Sequence, residues 1–300
     1  MAELISIPHN LKWDVGSNIK VVRIPHLARD EFQKATRDSY RFYSKKSNYL
    51  TFKLESISDV GVLEDLHFRD IGLELDVYTK DDVKQINSIK NSFAAFDKVE
   101  IVIHENSDSL YEDIKILLEE KNVFIRFSFE LLKSMDEKSL NNFYEKIAFT
   151  PDLLSKIYPF ISIVRFAHIQ KSGRAKGMKR TLWRFMQEEA GLFYYVDSNG
   201  KIGPSKRLLD KGLSYGTIEN SVEDLKESAL YKELNSIDEE IFFTYDKCSM
   251  CESYDMCNAM LKFGDLDYDC SAMKNIITSI KSEIEDIESV QKVEFVEEGA

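Results

Sequence analysis

The residues of this chain best suited to chemistry are four cysteines: Cys248, Cys251, Cys257 and Cys270. They form the pattern C-x2-C-x5-C-x12-C inside 23 residues, and the chain has no others. A C-x2-C knuckle lets two thiolates point at one ion while backbone amides point at the sulfurs. Two further cysteines complete a set of four soft ligands, which suits tetrahedral zinc or an iron–sulfur cluster. Spacing alone does not separate the two. Four unrelated thiols are a second reading, and a C-x-x-C redox pair a third. The redox pair lacks a strand-to-helix setting and leaves Cys257 and Cys270 unexplained.

Other reactive groups are scattered. His9, His26, His67, His104 and His168 show no helical i, i+4 pairing, so the sequence offers no histidine metal site. His104 and His168 sit near the ends of predicted strands, where barrel enzymes place functional groups, although a half-buried structural histidine is the commoner case. Arg126, Glu130 and Arg165 lie on or just after predicted strands and are candidates to line a cavity. The run from Lys171 to Arg184 is basic and reads either as a phosphate or acidic-peptide site or as a solvated loop and helix face. Trp183 and Phe185 read as packing residues. No G-x-S-x-G elbow is present.

The elements that must position these residues follow from hydrophobic periodicity. Strands are predicted at Ile19 to Ile24, Tyr49 to Leu54, Ile71 to Tyr78, Val99 to His104, Val123 to Phe129 and Phe160 to Phe166. Amphipathic helices are predicted at Asp81 to Phe96, Ser107 to Glu120 and Asp136 to Ile147. Strands alternating with helices of that length predict a parallel α/β sheet, and six such units predict a partial (β/α)6-type barrel. After Gln170 the pattern changes. A helix is expected from Thr181 to Ala190. Asp197-Ser198-Asn199-Gly200 signals a hairpin, because Asn-Gly accepts positive φ. Helices are expected at Ser221 to Tyr231 and Ser271 to Ile287. The predicted division is 1–190 for the barrel, 191–287 for a small cysteine-rich domain and 288–300 for an acidic tail.

The net charge is −12, which argues against nucleic acid as a partner. The N-terminus reads MAELISIPHNLKWD, with no basic segment before a long apolar run, and no stretch is apolar enough to span a membrane. A cytoplasmic location is therefore expected, and reducing conditions there favour metal-bound over disulfide-bonded cysteines.

The C-x2-C-x5-C core resembles the SPASM domain, the C-terminal extension of many radical SAM peptide-modifying enzymes. The approach is similar too: a Gly200-Lys201-Ile202 hairpin, a glycine turn at Leu213-Ser214-Tyr215-Gly216-Thr217-Ile218, a short helix, then the knuckle. Arg165 and Gly173-Arg174-Ala175 resemble the segment that joins barrel to extension, so the resemblance spans roughly residues 120 to 285. The family carries two auxiliary clusters. One needs a cysteine where this chain has Gly203-Pro204-Ser205, and another where it has Leu261. The other cluster's ligand set would be complete: Cys248, Cys251, Cys257 and Cys270. A radical SAM enzyme also needs C-x3-C-x2-C after its first strand, and no cysteine precedes residue 248. The resemblance therefore implies a pseudo-radical-SAM protein of the grasp-with-spasm kind, without SAM-cleaving activity. It implies one auxiliary 4Fe-4S cluster and a role in maturing a ribosomally made peptide. Its expected partners are a precursor peptide and an ATP-grasp ligase. A zinc-stapled interaction protein, or an enzyme using the barrel cavity, are the alternatives.

Overall fold

A computed structural model describes residues 3–5, 19–24, 26–44, 49–105, 110–136, 138–139, 142, 156–158, 183, 190–191, 194–196, 200–244, 246–263 and 266–282. The chain divides into two units, each made of two separate stretches. The first is Met1–Leu131 with Met186–Ser236, and the second is Leu132–Phe185 with Ile237–Ala300.

The first unit is α/β. Its centre is a five-stranded parallel sheet: β2 (Ile19–Ile24), β3 (Tyr49–Leu54), β4 (Ile71–Val77), β5 (Lys98–Ile103) and β6 (Val123–Phe127), adjacent in chain order. Strand β1 (Glu3–Ile5) pairs parallel to β2. Each strand predicted between residues 19 and 129 is present, within two residues at its ends. The strand predicted at Phe160 to Phe166 and nearly all of the helix predicted at 136–147 lie outside the described residues.

Helices α1 (Arg29–Tyr43), α2 (Val60–Glu64), α3 (Lys80–Ser88) and α4 (Tyr111–Leu118) fill the crossovers. Helix α1 was not anticipated. Its cues are Asp30 and Glu31 in the first turn and Arg41 in the last, which complement the helix dipole, with Phe32 and Thr36 buried four residues apart. Helix α3 opens on a capping box. Thr79 accepts from the Asp82 amide at 3.3 Å, and Asp82 accepts from the Thr79 amide at 2.8 Å. The single helix expected to Phe96 instead stops at Ser88 and resumes as a 3-10 turn, Lys90–Ala95. The stretch Asn87-Ser88-Ile89-Lys90-Asn91-Ser92 explains the break, since Asn and Ser side chains compete for the backbone. Ser88 donates to the Gln85 carbonyl at 2.6 Å.

Alternation puts one apolar row on each strand. Phe52, Leu73, Val99 and Val123 stand opposite one another, followed by Leu54, Leu75, Ile101 and Ile125. All eight are buried. Phe52 meets the Phe68 ring, which stacks on Tyr40 of α1 at 4.3 Å, so this face carries the helices.

The opposite face is charged and also buried. Lys53, Glu74 and Glu100 are register partners across β3, β4 and β5, and Arg126 of β6 lies one pleat further on. Lys53 Nζ sits 2.9 Å from Glu74 and 2.8 Å from Asp76. Arg126 pairs with Glu100 through Nε, and its Nη2 lies 3.3 Å from Glu74. Lys98 adds a second cation to Glu100 at 2.5 Å. Burial alone would raise the Asp76 and Glu100 carboxyl pKa values. His104 and Lys53 beside Asp76, and Lys98 and Arg126 beside Glu100, outweigh it and hold both well below the usual carboxylate range.

The rest of the first unit closes the sheet's other side. Strand Tyr195–Val196 pairs parallel to β1 and antiparallel to Lys201–Gly203, and Gly200 has φ of 75°. This agrees with the hairpin reading, although residues 197–199 lie outside the described ones. The helix expected from Ser221 to Tyr231 is two helices, Val222–Glu227 and Ala229–Thr244, split at extended Ser228. The Ser228 hydroxyl accepts from the Tyr231 amide at 3.2 Å and so starts the second helix. Among the described residues no helix is long and apolar enough to cross a membrane.

Removing one partner from a buried ion pair leaves the other unpaired, which costs about 3–5 kcal/mol. Arg126→Ala is therefore expected to lower urea-unfolding stability by that amount, and a loss below ~1 kcal/mol would show the network to be solvated. Depressed carboxyl pKa values stabilise the fold above the unfolded-state pKa. Stability is thus expected to hold from neutral pH down to about pH 5 and to fall through about pH 4, where Asp76 and Glu100 begin to protonate in the unfolded chain. The slope should flatten in Glu100→Gln, measured by urea titration at each pH.

Candidate metal centre

The four cysteines belong to the second unit, and each is placed by the end of a short element. Cys248 lies in helix Asp246–Ser249, and the Cys251 amide donates back to the Cys248 carbonyl at 3.1 Å, closing the knuckle. Cys257 is the last residue of helix Tyr254–Cys257. The chain then reverses through Asn258 and Ala259, both in the left-handed region with φ of 45° and 59°. This turn brings the Leu261 amide onto the Cys257 sulfur. Cys270 immediately precedes a helix over 271–282, whose first turn closes when the Lys274 amide donates to the Cys270 carbonyl at 2.9 Å.

A methionine-rich core holds these ends. Met256, Met260, Phe263, Met273, Ile276, Ile277 and Ile280 are buried. Lys281 ties the 271–282 helix to Asp255 at 3.0 Å. Trp183 is buried edge-on against Phe263 at 5.1 Å and donates to the Asn258 carbonyl at 3.1 Å, which braces the left-handed turn. Trp183 is thus a packing residue.

All four cysteines line one cavity of about 500 Å³, together with Lys262, Leu261 and Ser253. Every pairing among their sulfurs is close enough for one thiolate to raise the pKa of another. Burial pushes the Cys257 thiol up to about 12, against the Leu261 amide, and its three cysteine neighbours push the same way. Burial likewise lifts Cys270 to about 11, with Lys262 pulling the other way, and raises Cys248. Without a cation these groups are neutral thiols, and the Cys270 thiol turns to the Tyr268 carbonyl at 3.7 Å. Among the described residues, no three His, Cys, Asp or Glu side chains are gathered closely enough to grip a single metal ion.

Four thiols are donors of the kind that hold zinc or an iron–sulfur cluster. Burial opposes ionisation of Cys248, Cys257 and Cys270, and a multivalent cation would offset that opposition. Lys262 is held in place by the Leu266 carbonyl at 2.9 Å and by the Tyr268 carbonyl, and it pulls the Cys248 and Cys270 thiols down against burial. Leu261 is buried at the cavity wall, where the resemblance expected a cysteine for the second cluster.

The other candidates fall elsewhere. His104 donates or accepts with Asp76 at 2.8 Å and stacks on Tyr78 at 4.4 Å, at the carboxyl ends of β5 and β4. Arg126 is buried in the charged network, and Glu130 is exposed in helix Phe129–Ser134. Arg165 and His168 lie outside the described residues, as does the basic run from Lys171 except for Trp183. Sequence reasoning missed Lys53, Glu74, Asp76 and Glu100. Their signal was one or two charges, alternating with apolar residues, inside otherwise apolar strands. Comparison with protein families, with curated proteins and with solved structures found no match.

If the four sulfurs act as one ligand set, each of Cys248→Ala, Cys251→Ala, Cys257→Ala and Cys270→Ala lowers bound metal several-fold by elemental analysis. Two variants with wild-type content would show that the cysteines act apart.

Proposed function

We propose that this chain is a SPASM-like protein whose four cysteines hold one 4Fe-4S cluster, and that it acts in maturing a ribosomally made peptide without cleaving SAM. The observation that carries this reading is the convergence of Cys248, Cys251, Cys257 and Cys270 on one cavity, in the spacing of that domain's core. Four cysteine ligands leave no iron open, so the group would be structural or pass electrons rather than bind a substrate.

The first unit supports a barrel-derived scaffold. Its parallel strands run in chain order, with helices on one face and a charged row on the other, as in a partial (β/α)6 barrel with a polar interior. In this reading the chain binds a precursor peptide, with Arg165 a candidate contact, and an ATP-grasp ligase is the partner enzyme. Zinc in place of iron would turn the same site into a staple for an interaction protein.

Anaerobically prepared protein is expected to be brown, to absorb near 400 nm and to carry about four iron and four sulfide per chain. With SAM and dithionite it should release no 5′-deoxyadenosine. A colourless protein containing zinc and neither iron nor sulfide would overturn the cluster. For the partner reading, calorimetric titration with short peptides encoded beside the gene should show binding that weakens at least tenfold in Arg165→Ala. Unchanged affinity would remove Arg165 from the peptide site.

A further inference from the structure

Ser253 stands at the start of helix Tyr254–Cys257, where a serine ordinarily caps the helix with its hydroxyl. Thr79, Ser205 and Ser221 do so in this chain, each accepting from the amide three residues on. Ser253 does not. Its carbonyl takes the Met256 and Cys257 amides at 3.2 and 2.9 Å, and its side chain makes no cap. The residue is only 3% exposed and its hydroxyl oxygen has no hydrogen-bond partner. An orphaned buried hydroxyl costs about 1–3 kcal/mol, a cost that a partner at the site removes. The wall on which Ser253 lies is the cysteine cavity, two residues past Cys251 and four before Cys257.

We propose that the Ser253 hydroxyl donates a hydrogen bond to the sulfur framework of the bound cluster, either a ligand thiolate or a bridging sulfide, and so sets its reduction potential. The proposal rests on the cluster reading above. Asp267 and Asp269 also line the cavity, but sulfur is the acceptor we assign, since four of the lining side chains are thiols and Cys251 and Cys257 flank Ser253 in the chain. A hydroxyl donor stabilises the form with more negative charge on sulfur, which is the reduced one. One electron from a low-potential donor such as dithionite lowers the core charge by one, and the proton stays on the Ser253 oxygen throughout. Removing the hydroxyl makes reduction harder, and Thr in its place restores it.

The test is a spectroelectrochemical titration of the full chain, reconstituted anaerobically, as wild type, Ser253→Ala and Ser253→Thr. At the wild-type midpoint the reduced-to-oxidised ratio of Ser253→Ala is expected to fall about tenfold, a downward shift of ~59 mV for one electron. Ser253→Thr is expected to titrate with the wild type. Equal midpoints in wild type and Ser253→Ala, with equal iron and sulfide, would overturn the role of Ser253 and leave the cluster standing. Wild-type protein that takes up no iron would overturn both. Ser253→Gly repeats the measurement if the alanine variant loads poorly, and the same outcomes decide.

Discussion

The second unit gathers its four thiols in one cavity. Burial first, and the neighbouring sulfurs after it, push the Cys248, Cys257 and Cys270 thiols up. As neutral thiols they are small apolar groups of modest packing value. As thiolates around a metal they become the strongest bonds in that part of the chain. The elements that carry them are short, four residues each for Asp246–Ser249 and Tyr254–Cys257, which is too short for helices that stand on their own hydrogen bonds. Around them Met256, Met260 and Met273 are buried, and methionine side chains adapt readily to irregular packing.

The first unit balances charge differently. There the compensation is built from side chains alone: Lys53, Lys98 and Arg126 against Glu74, Asp76 and Glu100. The parallel register makes this possible: Lys53 stands beside Glu74, and Arg126, one pleat beyond Glu100, reaches both Glu100 and Glu74. Such a face contributes less to stability than an apolar one would, since each charge gives up hydration to reach its partner. The Asp76–His104–Tyr78 group at the strand ends continues that polar network outward.

The central sheet was legible in the sequence because buried parallel strands carry dense β-branched runs that no helix shares. Strands β2 to β6 follow from those runs to within two residues. Helix α1 was less visible. Its buried stripe includes Thr36 as well as Phe32, and a polar residue in an apolar stripe weakens the periodic signal. The breaks at Ser88 and Ser228 turn on whether a serine caps, which depends on the next turn as much as on the serine. The spacing of the four cysteines predicted a shared site, and all four line one cavity, but the surroundings of that cavity were not legible. Trp183 reaches Asn258 across 75 residues, and the left-handed pair Asn258–Ala259 involves no glycine to announce it.

The path of the chain has a practical consequence. Because each unit takes its residues from two distant stretches, neither can be excised as one continuous fragment. Expressing only the cysteine-bearing stretch would discard Trp183 and with it the brace on the turn that aims Cys257. A minimal cluster-binding piece would instead have to be rewired, with Leu132–Phe185 joined by a designed linker to the stretch that begins at Ile237. Ordinary truncation series on this protein would report the collapse of the scaffold before they reported anything about its ligands.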